Sequence, residues 1–152
     1  MNADRFMFSI VCDDVRHEAS GKLSYIGVYR DTILVPSFPA ILPKLYFVLT
    51  VRTIAEKPFK ALTFKVLADD AELLRADVDT AQVRGDSEAG TDHWLSATMI
   101  CGMQGAQFQK PTILKLRAET ELGELQGGTI DVRVLSERDR AQLKNVDAAV
   151  PN

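Results

Sequence analysis

Apolar residues recur at every second position in run after run of this chain, and that periodicity constrains its fold more than any other feature. Leu45, Phe47, Leu49 and Val51 share one phase, while Tyr46, Val48, Thr50 and Arg52 take the other. Successive side chains of an extended strand point to opposite faces, so one row belongs to a core and the other points away from it. The spacing returns in Leu62, Phe64 and Val66, in Leu95, Ala97, Met99, Cys101 and Met103, in Leu114, Leu116 and Ala118, and in Ile130, Val132 and Val134. Short strands separated by turn signals predict an all-β fold. The expectation is a single-domain, mostly antiparallel β-sandwich, immunoglobulin-like or C2-like, of roughly seven to nine strands. Its core should include Phe47, Leu49, Phe64, Val66, Met99, Leu116 and Val132.

The connections follow from turn chemistry. Asp69-Asp70 reads as the turn of a hairpin whose second strand passes through Leu73, Leu74, Ala76 and Val78, and Gln126-Gly127-Gly128 as the turn of a late hairpin. Pro36, Pro39 and Pro43 exclude regular helix after Ile33 to Val35, which predicts an extended crossover. Residues 82–92, with Gly85, Ser87 and Gly90, form the longest polar stretch and are expected to be a mobile loop. Ser136 as N-cap, with Asp139 three residues on, predicts a C-terminal helix of one or two turns at most. A chain of 152 residues is the size of one domain. The domain is placed at residues 1–145, with a tail at 146–152.

Two apolar runs, at residues 6–12 and 23–29, are joined by a connector holding Asp13, Asp14, Arg16, His17, Glu18 and Lys22, with Ser20 and Gly21 as turn residues. They are spaced to pair as antiparallel neighbours. The stretch Cys12-Asp13-Asp14-Val15-Arg16-His17-Glu18, followed by Gly21-Lys22-Leu23-Ser24 and Ile26-Gly27-Val28-Tyr29, resembles the opening of a family of short uncharacterised bacterial proteins. The likeness continues into Phe38-Pro39 and Leu42-Pro43-Lys44-Leu45. The resemblance implies a bacterial origin and carries no assigned activity or catalytic residue with it.

The formal net charge is −3, which gives no general attraction to phosphate backbones or anionic lipid. Nucleic acid and membrane are therefore not expected partners. The first apolar run has Asp4 ahead of it and Asp13-Asp14 behind it, and is too short for a membrane span or secretion signal. A cytoplasmic location is the expectation. Cys12 and Cys101 have no second Cys or His at ligand spacing, so buried free thiols are expected, with no metal and no cofactor.

Five arrangements bear on function. Asp13, Asp14, Arg16, Glu18 and Lys22 form a polar cluster that reads as an ionic clasp of the first hairpin, with Arg16 as a forked donor to the acids. Asp13, Asp14 and Glu18 could join Asp69 and Asp70 as hard oxygen ligands for calcium if their loops converge. His17 beside Glu18, or His93, supplies acid-base vocabulary, but neighbours in extended chain face opposite ways and no nucleophile motif accompanies them. Arg84-Gly85-Asp86 spells an integrin-recognition tripeptide, read here as chance. Finally, Tyr25, Tyr29, Tyr46 and Val48 need covering by chain or by another subunit, which favours a homo-oligomer. The leading reading is a non-enzymatic cytoplasmic binding or assembly module, with a protein partner or self-association. A calcium-dependent or small-ligand-binding sandwich using the acidic loops is the alternative, and an enzyme of unrecognised type the third.

Overall fold

The alternating runs become the strands of two five-stranded sheets in the computed structural model, which describes residues 4–85 and 93–148. The strands are β1 (Arg5–His17), β2 (Leu23–Tyr29), β3 (Thr32–Val35), β4 (Ala40–Ile54), β5 (Leu62–Ala68), β6 (Ala71–Asp77), β7 (Arg84–Gly85), β8 (Trp94–Phe108), β9 (Thr112–Thr120) and β10 (Gly123–Val134). The first sheet has the order β2-β1-β4-β8-β7 and the second β3-β10-β9-β5-β6. Paired neighbours run antiparallel except β3 and β10, which are parallel over Val132 to Ile33 and its flanking pairs.

The core lies between the sheets. Leu45, Phe47, Leu49 and Val51 of β4 meet Phe64 and Val66 of β5, Leu114, Leu116 and Ala118 of β9 and Val132 of β10 in one buried cluster. Each fully buried Leu or Phe contributes roughly 1.5–3 kcal/mol relative to exposure. The expected core residues are buried, apart from Met99, which only packs against the cluster's margin. Its strand, β8, lies near an edge of the first sheet, where fewer neighbours are available to cover it.

The proline-rich segment crosses between sheets as its sequence demands, from β3 in the second to β4 in the first. Pro43 nevertheless lies inside β4. There β4 pairs with β8 but is no longer paired with β1, whose register with β4 ends at Cys12 opposite Tyr46. A residue without an N–H is tolerated where one side of the ladder is open. Opposite Pro43 stands Gly105 at φ 63°, and around this point the inward phase changes. Ala40, Ala106 and Phe108 are buried on one side of it, Leu45 and Phe47 on the other.

Two turn expectations change. Gln126-Gly127-Gly128 is a register shift within β10, and the chain reverses instead at Glu121-Leu122 between β9 and β10. A Gly-Gly pair suits a bulge as well as a turn, and only the pairing partner decides which. Within the expected loop at residues 82–92, Arg84–Gly85 form β7, and residues 86–92 lie outside the described residues, as does Asp86 of the tripeptide. The C-terminal helix α1 (Glu137–Ala148) has 12 residues, about three turns and longer than expected. Ser136 Oγ accepts from Asp139 N, and Asp139 Oδ2 accepts from Ser136 N. That reciprocal capping is anchored by Arg133 Nη1 and Nη2, at 2.6 and 2.9 Å from the Asp139 carboxylate.

Candidate functional site

The outward faces of the two sheets differ in chemistry. On the second, Lys65, Lys115 and Arg117 alternate with the core residues and meet acids at 2.5 Å (Glu119), 2.8 Å (Asp70) and 3.3 Å (Glu124). This is an ordinary solvated face. On the first, the register sets Phe6 beside Arg52 and Ser96, Phe8 beside Thr50 and Thr98, and Ile10 beside Val48 and Ile100. Arg52 and, on β7 opposite Ser96, Arg84 are the charged residues of those three rows. Phe6 and Phe8 are 40% and 47% exposed. Phe6 stacks with Phe8 at 6.4 Å and meets Trp94 edge-on at 5.4 Å, and the Arg52 guanidinium lies 5.7 Å from the Trp94 ring centre.

A fold-over of the first hairpin turns this face into a groove. Beyond Cys12, β1 pairs only with β2, and Gly27 stands opposite Asp13 with φ 66°. Leu23 and Tyr25 of β2 line one groove, of about 420 Å³, with Phe8, Thr50, Arg52, Ser96, Thr98 and Ile100. Since β1 and β4 separate β2 from β8 in the sheet, only a hairpin bent over the face brings Leu23 and Tyr25 to Ile100. The bend also accounts for a second, smaller buried patch. Cys12 and Val48 point outward from the first sheet yet are 0% and 3% exposed, apart from the main core. Burial pushes the Cys12 thiol up, so it stays protonated and is a poor nucleophile.

The polar residues of the connector do not act as one unit. Asp13 accepts the Tyr29 hydroxyl, and burial first, then this bond, raises the phenol above its ordinary value. Asp14 lies 3.7 Å from Arg16 Nε and 3.5 Å from Lys44 Nζ. Glu18 accepts from Ser24 Oγ at 2.7 Å, not from Arg16. The Arg16 side chain is 67% exposed and Lys22 is also exposed, so the connector is an open turn in which Arg16 reaches one of the three acids, Asp14. The reason is the fold-over: it carries Tyr25 inward and leaves the tip in water. Asp69 accepts from the Ile113 N–H at 2.9 Å and Asp70 pairs with Lys115, away from the connector acids' partners. Among the described residues, no three His, Cys, Asp or Glu side chains gather in a metal-binding group. His93 stands by Ala55 near the start of β1, whereas His17 ends that strand.

Sequence reasoning missed two things. Phe6, Phe8 and Ile100 sit in the off-phase of runs judged by their core phase; their signal was apolar character in both phases. Arg5 left no such signal, because a basic residue opening a strand reads as solvated. Its guanidinium is 2% exposed and donates to Glu121 (2.7 Å), Thr53 (3.1 Å) and the Lys57 and Pro58 carbonyls (3.0 Å each), over the Phe59 ring. This lock ties the start of β1 to the β9–β10 turn. A larger cleft of about 610 Å³ borders it, but the charged groups lining that cleft, Arg5 and Glu124, are paired within the protein.

Across residues 7–142 the chain matches the model of a family described as a family of unknown function (DUF6941). No curated protein matches it.

Proposed function

The chain belongs to the family of unknown function DUF6941, and for this member we propose a non-enzymatic, cytoplasmic binding module. Its ligand is an apolar or aromatic side chain of an extended peptide, held in the groove between the folded-over hairpin and the first sheet. One observation carries the reading: the outward face of the first sheet exposes an aromatic and apolar patch around Phe6, Phe8 and Ile100, with no acid in its three rows, while that of the second is a lattice of ion pairs. Large exposed apolar patches rimmed by polar groups mark interaction surfaces. Phe8, Tyr25, Leu23 and Ile100 offer apolar contact, and Ser96, Thr50 and Thr98 offer hydroxyls for backbone groups. The lining has no acid, which disfavours a cationic ligand. The cytoplasmic placement is supported by the thiols: Cys12 faces outward and Cys101, opposite Phe47, faces inward, two strands apart. At about 4.8 Å per strand they are too distant to bridge.

Trp94, the chain's one tryptophan, adjoins the groove through Phe6 and Arg52 and serves as the reporter. Tryptophan fluorescence should shift on titration with capped peptides carrying Leu, Tyr or Phe at alternate positions, but not with their Ser counterparts. Phe8→Ala and Tyr25→Ala should each weaken binding at least about tenfold. Equal binding of the Ser peptides, or affinity unchanged in both variants, would refute the assignment.

A further inference from the structure

We propose that the outer edge of β8 is a self-association surface, through which two copies of this chain pair antiparallel about a twofold axis and join their first sheets. Three independent observations meet on this strand.

The edge is open. On its inner side β8 is matched to β4 from Trp94 opposite Ile54 to Phe108 opposite Ala40. On its outer side, among the described residues, only β7 pairs with it, opposite Leu95 and Ser96. From residue 97 to the kink at Gly105 the backbone groups on that side have no strand partner among the described residues, and only at Ser96 to Thr98 does another segment, Val78 to Val83, stand beside the strand. Such a row of unpaired N–H and C=O groups is a template for another strand.

The edge is also unprotected, unlike the others. The exposed side of β6 carries Glu72, Arg75 and Asp77, bonded to one another at 3.8 and 3.2 Å. The edge strand β3 has four residues and ends at Pro36, and β2 is bent at Gly27. Charges, brevity and bends are the usual means of preventing sheet-to-sheet pairing. β8 has 15 residues, and residues 94–109 contain no Asp, Glu, Lys or Arg.

The core behind this edge is incompletely covered. Met99, Cys101 and Met103 point into the sandwich, opposite Leu49, Phe47 and Leu45. Those three β4 residues are 0% exposed, whereas the β8 residues are only half-buried. A strand laid along β8 would close the gap.

A second copy is the occupant that the charge pattern selects. Across a twofold axis each residue near the axis meets its own copy or a close neighbour of it, so a charged strand repels itself. A strand with no charge over its whole length pairs with itself at no electrostatic cost. Residues facing each other in an antiparallel pair share a face, so a pairing centred on the free stretch sets Cys101 against the other copy's Cys101. Thr98 then faces Gln104. Opposed Cβ atoms lie about 4.5–5.5 Å apart, within reach of a short thiol crosslinker.

Sedimentation of the purified chain at roughly ten to one hundred micromolar is expected to give twice the 16.8 kDa chain mass. Bismaleimidoethane followed by peptide mapping should join Cys101 to Cys101. The Thr98→Lys/Gln104→Lys pair, which opposes lysines across the axis, should return the mass to one chain with an unchanged circular dichroism spectrum. A monomer throughout that range, or a dimer that survives the lysine pair without a Cys101 linkage, overturns the proposal.

Discussion

The Asp13 carboxylate fills the space in which a side chain on Gly27 would begin: an ideal Cβ there would overlap Asp13 Oδ2. Gly27 also has φ 66°, a conformation that costs an L-residue roughly 1–2 kcal/mol. This pair makes the bend by which the first hairpin folds over its own sheet. Gly27→Ala should therefore destabilise by at least about 2 kcal/mol in denaturant melts. Adding Asp13→Ala should recover the steric part but not the backbone part, so the double variant should fall between Gly27→Ala and the parent. A Gly27→Ala loss below about 0.5 kcal/mol would mean the bend lies elsewhere.

Tyr29 reports on the same bend through pH. Its phenol is raised in the folded state, first by burial and then by the bond to Asp13. A group whose folded value is raised stabilises fully below its unfolded value, about 10 for tyrosine, and loses that contribution as pH climbs through the folded value. Stability should fall more steeply above pH 10 in the parent than in Tyr29→Phe. Of the three tyrosines, one should resist ionisation in a spectrophotometric titration until the protein unfolds.

Glu121 works in the opposite direction. Burial opposes its charge, but the Arg5 hydrogen bond and the backbone N–H groups of Ala61 and Lys60 hold its carboxyl down to about 2. A depressed acid stabilises fully above its unfolded value, about 4.3, and loses that stabilisation as pH falls toward 2. Glu121→Gln should flatten the stability profile between those limits. Arg5→Ala, which strands a carboxylate and opens the lock over Phe59, should cost roughly 3–5 kcal/mol at pH 7.

Arg16→Ala should cost less than about 1 kcal/mol, the range of an exposed ion pair. The side chain is 67% exposed and its contact with Asp14 is 3.7 Å. A loss above about 1.5 kcal/mol, measured by chemical denaturation, would contradict an open turn at the hairpin tip.

Asp139→Ala removes the reciprocal cap and both Arg133 bonds at once. Replacing a capping group costs about 1 kcal/mol. Hydrogen exchange in α1 should accelerate while β4 and β9 keep their protection, because the helix residues at 140–145 are exposed and bury no face against the sheets. Equal acceleration in β4 would show that the helix supports the sandwich.

The chain's own pattern determined which residues form strands and which of their faces enter the core. Leu62, Phe64 and Val66, or Leu114, Leu116 and Ala118, are legible because side-chain direction in a strand is a local, period-two property. The Ser136 and Asp139 cap was legible for the same reason, its partners being three residues apart. Tertiary structure alone decided that Gly127-Gly128 fall at a bulge rather than a turn, that Arg5 is buried, and that Leu23 and Tyr25 arch over Phe8 to wall a groove. It also decided that β8 stands near an open edge, so that Met99 is only half covered. Each of these depends on which strand lies beside which, a pairing between residues dozens of positions apart. Alternation records that a strand has a buried face, but not which neighbour buries it.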